Sequence, residues 1–382
     1  MSLDAEEMVF CLLISRLQRI PGVDHRSLRR RLLEQGRSLD VAALLSPRLP
    51  LCPSGLPDRS ELLAKAEKAV LAGIGACCLC DERYPYRLRQ ADSCPLVLYY
   101  RGREPSSIWN QAFAVTVIGT RSPTQYGRLV TRRIVADLAR EGTLIISGLA
   151  RGIDALAHEA ALCHGAPTLA VLAQGVDQVY PPENRLLLER IAREGLLLSE
   201  HPPGTKPLRH YFPARNRILS GLADVVAVME AARKSGTLIT AGFAADQGRE
   251  VLAVPGSILH DRSEGCHQLL RDGAGLLETA DDLLQLRPSS VLVEQMGGPI
   301  RAKRPCSGFS DESDNIGCQP SAEDRALLQQ LAACALTLEE LGEVLSWPVR
   351  RTAVWVSEME TQGFICRERG RYFLTERGVF CI

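Results

Sequence analysis

Basic side chains crowd both ends of one apolar stretch: Arg215 and Arg217 precede residues 224–230, and Arg233 and Lys234 follow them. The stretch is almost wholly apolar and β-branched, as expected of a strand covered on both faces in a parallel sheet. The turn Lys234-Ser235-Gly236-Thr237 then leads into a helical pattern. Beyond the carboxyl ends of such strands, helix N-termini present free N–H groups and a positive dipole end. Together these residues could hold an anion.

Two earlier turns carry similar chemistry. Gly119 lets the backbone turn tightly, Arg121 follows, and Thr124 can cap the next helix. Four arginines and no acid lie between Gly119 and Arg133, a density suited to phosphate, although Arg128, Arg132 and Arg133 read as a solvated helix face. In the second turn, Ser147-Gly148-Leu149-Ala150-Arg151-Gly152-Ile153-Asp154, two glycines flank Arg151 and Asp154 is the expected N-cap. His158, one turn into the helix, has the chemistry of a general base. With no nucleophile or carboxylate pair set beside it, His158 reads better as structural. Residues 201–217 hold Lys206, Arg209, Arg215 and Arg217, no acid, and the aromatics Tyr211 and Phe212. That interleaving suits single-stranded nucleic acid, where stacking on an aromatic contributes ~1–3 kcal/mol per base. Tyr180 or Asn184 could meet a sugar or base.

Other chemistries lack their residues. There is no G-x-x-x-x-G-K-[ST] loop, no strand-linked G-x-G-x-x-G with a partner acid, and no credible nucleophile and base pair. Binding is therefore favoured over catalysis. Cys77 and Cys80 form a C-x-x-C with no second half, so no metal is expected. Most of the 13 cysteines lie singly in apolar segments, as small hydrophobes in a reducing compartment do. Lys and Arg total 45 against 45 Asp and Glu, which argues against a coat of positive charge but leaves room for a local basic groove. Acids replace the basic region of a secretory leader in residues 1–10, and no apolar run approaches the ~20 residues of a membrane span. A soluble, cytoplasmic protein is expected.

The elements that must position these turns alternate regularly. Strands are expected at Ala114–Ile118, Leu144–Ser147, Pro167–Ala173, Leu196–Glu200, Asp224–Glu230 and Glu250–Val254. Helices separate them at Gln125–Glu141, Asp154–Cys163, Pro181–Glu194, Ala214–Leu222 and Thr237–Gln247. Such alternation gives an α/β domain with a mainly parallel sheet and right-handed crossovers.

At 382 residues the chain should hold two to three domains. Residues 1–75 read as helical, with a Pro-Gly hairpin signal at Leu17–Val23 like that of a helix-hairpin-helix or SAM module. Such a turn can present N–H groups to a DNA phosphate or serve plain helix packing. Residues 76–287 hold the α/β alternation. Residues 288–320 are rich in Pro, Ser, Gly and acids, as a linker is. Residues 321–382 show helical patterns at Ser321–Cys334, Thr337–Leu345 and Val349–Gln362, then a hairpin over Phe364–Leu374 turning at Arg369-Gly370, which together predict a winged helix. Arg350, Arg351 and Trp355 would face a major groove in a DNA reader. Alternatively Trp355, Val356 and Met359 are core and the module meets a protein.

The motifs GTRSPTQYG from Gly119, SGLARGID from Ser147 with His158, YPPEN from Tyr180, FPARNR from Phe212, KSGTLITA from Lys234 and AVPGS from Ala253 occur in this order. On them the chain closely resembles the DNA processing protein A (DprA, also called Smf) family, across about Ile74 to Glu278. The resemblance implies an extended Rossmann-like fold that binds single-stranded DNA without strong sequence preference, protects incoming strands in natural transformation, and helps load the recombinase RecA. It implies no catalytic turnover and no cofactor. By the same resemblance the groove would be lined by Gly119, Arg121, Ser147, Gly148, Arg151, Gly152, Arg215, Asn216, Arg217, Lys234, Ser235, Gly236 and Thr237. A homodimer would form around Cys266 to Ala274, with Leu269 and Leu270 in contact. Gln174 stands where the family commonly has glycine, His267 where it has asparagine, and Thr120 where serine is usual; the first two put dimer geometry and one turn in question.

The alternative function is a Rossmann-like nucleotide-processing hydrolase with Glu200 or Glu230 as its acid. A transcriptional regulator reading duplex DNA through the winged helix is a third.

Overall fold

The computed structural model describes residues 3–18, 25–36, 59–288, 337–345, 347–361, 364–368 and 371–375. The expected Pro-Gly turn, the linker beyond residue 288, the helix at 321–334 and the hairpin tip at 369–370 lie outside the described residues. Two compact units divide the chain, Met1–Ala302 and Lys303–Ile382.

The first unit is built on a nine-stranded sheet ordered β1-β2-β6-β5-β4-β3-β7-β8-β9. Its strands are β1 (Ile74–Cys78), β2 (Val97–Gly102), β3 (Ala114–Ile118), β4 (Leu144–Ser147), β5 (Thr168–Val171), β6 (Leu196–Ser199), β7 (Val225–Val228), β8 (Glu250–Ala253) and β9 (Gly275–Leu276). From β6 to β9 every pairing is parallel, while β2 adds antiparallel to β6 and β1 to β2. Strands β3 to β7 are buried at every position, which is why their sequences are aliphatic runs rather than alternating patterns.

Helices cover both faces, in chain order α1 (Leu3–Leu17), α2 (His25–Gln35), α3 (Arg59–Leu71), α4 (Tyr86–Arg89), α5 (Pro105–Trp109), α6 (Gln125–Arg140), α7 (Ile153–Cys163), α8 (Arg185–Glu194), α9 (Tyr211–Gly221), α10 (Gly236–Asp246), α11 (Glu264–Arg271) and α12 (Ala280–Leu284). Met8, Cys11 and Ile14 of α1 and Ala66 of α3 belong to the same apolar core as β1, β2 and β6. The buried hydroxyls of Ser15 and Tyr99, 2.8 Å apart, tie α1 to β2. No helix among the described residues is long and apolar enough to cross a membrane.

The chain steps outward from β3 through β4 and β5 to β6, then returns to place β7 on the other side of β3. This reversal puts the topological switch point between β3 and β7, where loops diverge and leave a crevice above the sheet. At the opposite end of those two strands, the buried Arg87 of α4 donates Nε to Asp224 Oδ1 at 2.8 Å and Nη2 to Gln111 O at 2.9 Å. Asp224 Oδ2 in turn accepts the Ala114 amide at 2.8 Å, so one ion pair fixes the starts of β3 and β7 together.

In the second unit, α13 (Leu338–Leu345) and α14 (Val349–Thr361) pack with the hairpin β10 (Ile365–Glu368) and β11 (Arg371–Leu374). Trp355, Val356 and Met359 are buried in its core with Phe364 and Tyr372, and Arg351 stacks over Trp347 at 4.2 Å. The Arg350 side chain lies outside the described residues.

Removing one partner of a buried, hydrogen-bonded ion pair costs about 3–5 kcal/mol. Arg87→Ala should therefore lower unfolding stability by that order; a urea midpoint close to wild type would contradict the role given to the Arg87–Asp224 pair.

Candidate nucleic-acid interface

Three loops leave the carboxyl ends of β3, β4 and β7 and interlock through their backbones. Thr120 N donates to Glu230 O at 2.7 Å and Ile153 N to Thr120 O at 3.2 Å. The spacing leaves no room for side chains: a Cβ on Gly119 would come within 2.6 Å of Ile153 Cγ1, and one on Gly152 would strike Thr120 O. Gly152 also has φ +78°, a conformation that favours glycine. Glu230, 4% exposed, turns its carboxylate to the start of α6, where it accepts the Thr124 amide at 2.9 Å. Thr124 Oγ1 accepts from Gly127 N at 3.1 Å, the cap expected for that helix.

Beneath the loops lies Arg215, the first of the two arginines on α9. It is 5% exposed, and its Nη1 donates to Gly148 O at 2.8 Å and also to Val171 O. Burial lowers the Arg215 pKa to about 10, countered in part by Asp154. Asp154 is buried as well, which raises its carboxyl pKa, while Arg215 opposes that rise. The guanidinium thus joins the ends of β4 and β5 to α9, and Gly148 is bare because a Cβ there would meet the Arg215 terminal nitrogens.

Above this floor opens a cleft of about 640 Å3 at the switch point. Gly119 and Arg121 line it from the first loop, Asn216 from α9, and Ser235, Gly236 and Thr237 from the start of α10. Ser235 caps α10 by accepting from Thr237 N at 3.2 Å, and Asn216 Nδ2 reaches Gly236 O at 3.4 Å. On the other wall Arg121 stands over the Phe212 ring at 5.7 Å, and Phe212 meets Tyr180 at 5.4 Å between centroids. Arg209 also lines the cleft. A helix N-terminus, two arginines and a pair of aromatic rings therefore converge on one space.

The description of the family model that matches residues 76–288 is DNA recombination-mediator protein A. The chain belongs to this family. It is 45% identical over 216 residues to the protein Smf of Synechocystis, covering 56% of this chain and 54% of that protein. The chain thus spans about half the length of that relative. Against the DNA processing protein DprA of Bacillus subtilis it is 39% identical over 216 residues, covering 56% of this chain and 72% of the other. The crystal structure of DNA processing protein A from Streptococcus pneumoniae superposes with a TM-score of 0.60 at 32% identity, over 76% of this chain and 100% of that one. The family match spans the whole of the switch-point cleft.

The residues named from the family motifs divide into four groups. Gly119, Arg121, Asn216, Ser235, Gly236 and Thr237 face the cleft, with Arg215 at its floor. Ser147, Gly148 and Gly152 support it from below; the buried Ser147 hydroxyl donates to Val117 O at 2.6 Å. Arg151 and Lys234 are exposed beside it, Arg151 in an ion pair with Glu183. Arg217 points elsewhere, because successive residues of a helix face directions about 100° apart; it pairs with Glu200 and opens onto another cleft.

Phe212, Tyr180 and Arg209 bear chemistry in the sequence but fall outside the groove-lining motif positions, since their approach depends on the irregular segment before α9. Ile239 and Thr240 in the cleft wall were legible only as the next turn of α10. Gly152, not Asp154, stands at the N-cap of α7; Asp154 instead lies in the first turn and accepts the Ala150 amide at 3.4 Å.

Gln174 fills the loop after β5, donating to the carbonyls of Gln178 and Tyr180 at 3.4 Å each. His267 Nε2 lies 3.0 Å from Gly256 O, and Leu269 and Leu270 pack half-buried against the main core. His158 is fully buried, its Nδ1 2.7 Å from Thr168 Oγ1, as the structural reading expects. Burial, then the nearby Arg215 charge, lowers its pKa to about 3.

Two outcomes follow from this buried chemistry. Gly148→Ala should cost about 1–3 kcal/mol by overpacking, with less than additive loss when combined with Arg215→Ala, because the two share one contact; additive losses in a double-mutant cycle would deny the contact. For His158 the folded pKa of about 3 lies below the ordinary 6.5, so its neutral form stabilises the fold above pH 6.5 and that stability is lost as pH falls toward 3. His158→Gln should flatten the decline of urea midpoint with pH over that window.

Proposed function

We propose that the switch-point cleft binds single-stranded DNA, and that the protein is a cytoplasmic DNA-processing factor of natural transformation and recombination. It protects incoming single strands and helps load RecA onto them. The observation that carries this reading is the convergence of Arg121 and Arg209 with the Phe212–Tyr180 ring pair and the N-terminus of α10. Phosphates seek the cations and free amides, and unpaired bases seek the ring faces. Gly236 adds weight of its own. A Cβ there would meet nothing within 4 Å, so the protein's own packing does not require glycine, whereas close approach of a ligand to the backbone would. The names of the relatives, DNA processing proteins, and the family's description as a recombination mediator agree with this reading.

The RecA role rests on that description and on the resemblance of the motifs. The homodimer is assigned to α11, where Leu269 and Leu270 leave part of their surface outward. The helices α1–α3 serve as the SAM or helix-hairpin-helix module, and α13, α14 and the hairpin as a winged helix whose Trp355 is core.

The hydrolase reading loses its acids to structural work: Glu230 accepts the Thr124 amide at the start of α6, and Glu200 pairs with Arg217. We therefore assign binding without turnover.

Oligonucleotide titrations over a salt series test the reading. Arg121→Ala should weaken binding uniformly across sequences and reduce the log–log salt slope by about 0.7, the contribution of one phosphate contact. Phe212→Ala should cost about 1–3 kcal/mol with little change in slope. Gly236→Ala should leave the melting temperature unchanged and still weaken binding. Wild-type affinity in all three would refute the cleft as the DNA site.

A further inference from the structure

Arg217 opens onto a second cleft, of about 750 Å3, whose other wall is α2. Arg26, Arg29 and Arg30 line it from that helix. Their spacing sets them on one face, spread over about 6 Å of helix axis. Arg29 donates to the backbone carbonyls of Asp92 at 2.8 Å and Ala91 at 3.5 Å, tying α2 to the loop that precedes β2. Arg26 and Arg30 stay exposed. The Arg30–Glu34 contact is long, 3.9 Å, between side chains that are both mostly solvated, so it neutralises little. Among the described residues lining the cleft, Asp92 is the one acid, and its carboxylate stands in solvent 3.6 Å from Arg29. Arg217 spends Nη2 on Glu200, while its buried Nη1 has no hydrogen-bond partner among the described residues. Buried donors are costly to leave unmet, and Arg217, which lines the cleft, carries one.

The two clefts share a wall. Asn216 faces the first and Arg217 the second, so they lie on two sides of α9, about 10 Å apart across a helix with its side chains.

We propose that the second cleft extends the track of the same polynucleotide. A single strand held at the switch point continues past α9 and lays its phosphates against Arg217, Arg26 and Arg30. This inference rests on the proposed function. A row of guanidinium forks spaced along a helix fits a repeating phosphodiester better than one isolated anion, because each fork can take two phosphate oxygens.

The test compares the full chain with Arg26→Gln/Arg30→Gln and with Arg121→Ala, using oligothymidylates of roughly 6 and roughly 20 nucleotides, chosen around the footprint of one binding groove. In the double variant the long strand should bind about tenfold more weakly, with a salt slope smaller by about 1.4, and the short strand should bind as in wild type. An unchanged affinity and slope for the long strand overturns the second track, as does an equal loss for both lengths, which would mean a single site. Arg121→Ala should weaken both lengths; if it does while the double variant weakens neither, only this inference fails. If the wild-type chain binds neither length, the proposed function itself fails and takes the inference with it.

Discussion

Arg215 places a buried guanidinium under the ends of β4 and β5, and the cleft above depends on that placement. An arginine removed from water must be hydrogen-bonded or it is severely destabilising. Here it is met by the carbonyls of Gly148 and Val171, with Asp154 nearby in charge. Two β-strand ends and α9 are thereby fixed relative to one another. Gly148 must then be glycine, His158 sits neutral behind the same layer, and the loop from Gly148 to Ile153 closes against Thr120. The charge density that makes the sequence look like a phosphate site is thus partly internal scaffolding.

A parallel sheet concentrates helix N-termini at one edge, but a crevice forms only where adjacent loops run in opposite directions. The return of the chain from β6 to β7 creates that condition beside β3. Glu230 and Ser235 settle how the two neighbouring helices begin: Glu230 occupies the start of α6, whereas the first turn of α10 faces the open cleft. Of two helix ends at the switch point, one is filled by the protein's own carboxylate and the other opens onto the cleft. This asymmetry makes the two helix ends unequal, and it commits the Glu230 carboxylate to the start of α6.

The strands and helices from Ala114 to Val254 were legible because their signals are local. Aliphatic runs of four to seven residues, capping hydroxyls at Thr124 and Ser235 and glycines at turns each act within a few residues of sequence. The start of α9 was not: it begins at Tyr211, ahead of the expected Ala214, because Pro213 is tolerated in a first helical turn. The positions of Phe212 and Tyr180 were equally hidden, since they meet only when the loop after β5 and the segment before α9 fold over the sheet.

By itself the sequence determined the α/β class, its mostly parallel sheet and where basic side chains gather along the chain, because periodicity, turn residues and charge density are properties of neighbours along the chain. The tertiary structure decided which cations remain available. Arg215 and Arg217 are chemically identical and two residues apart, yet a helix turns about 200° between them. One is drawn beneath the sheet ends and the other is carried to the far side of α9, facing α2. That division depends on which face of α9 packs on the sheet, and packing is settled by partners distant in sequence.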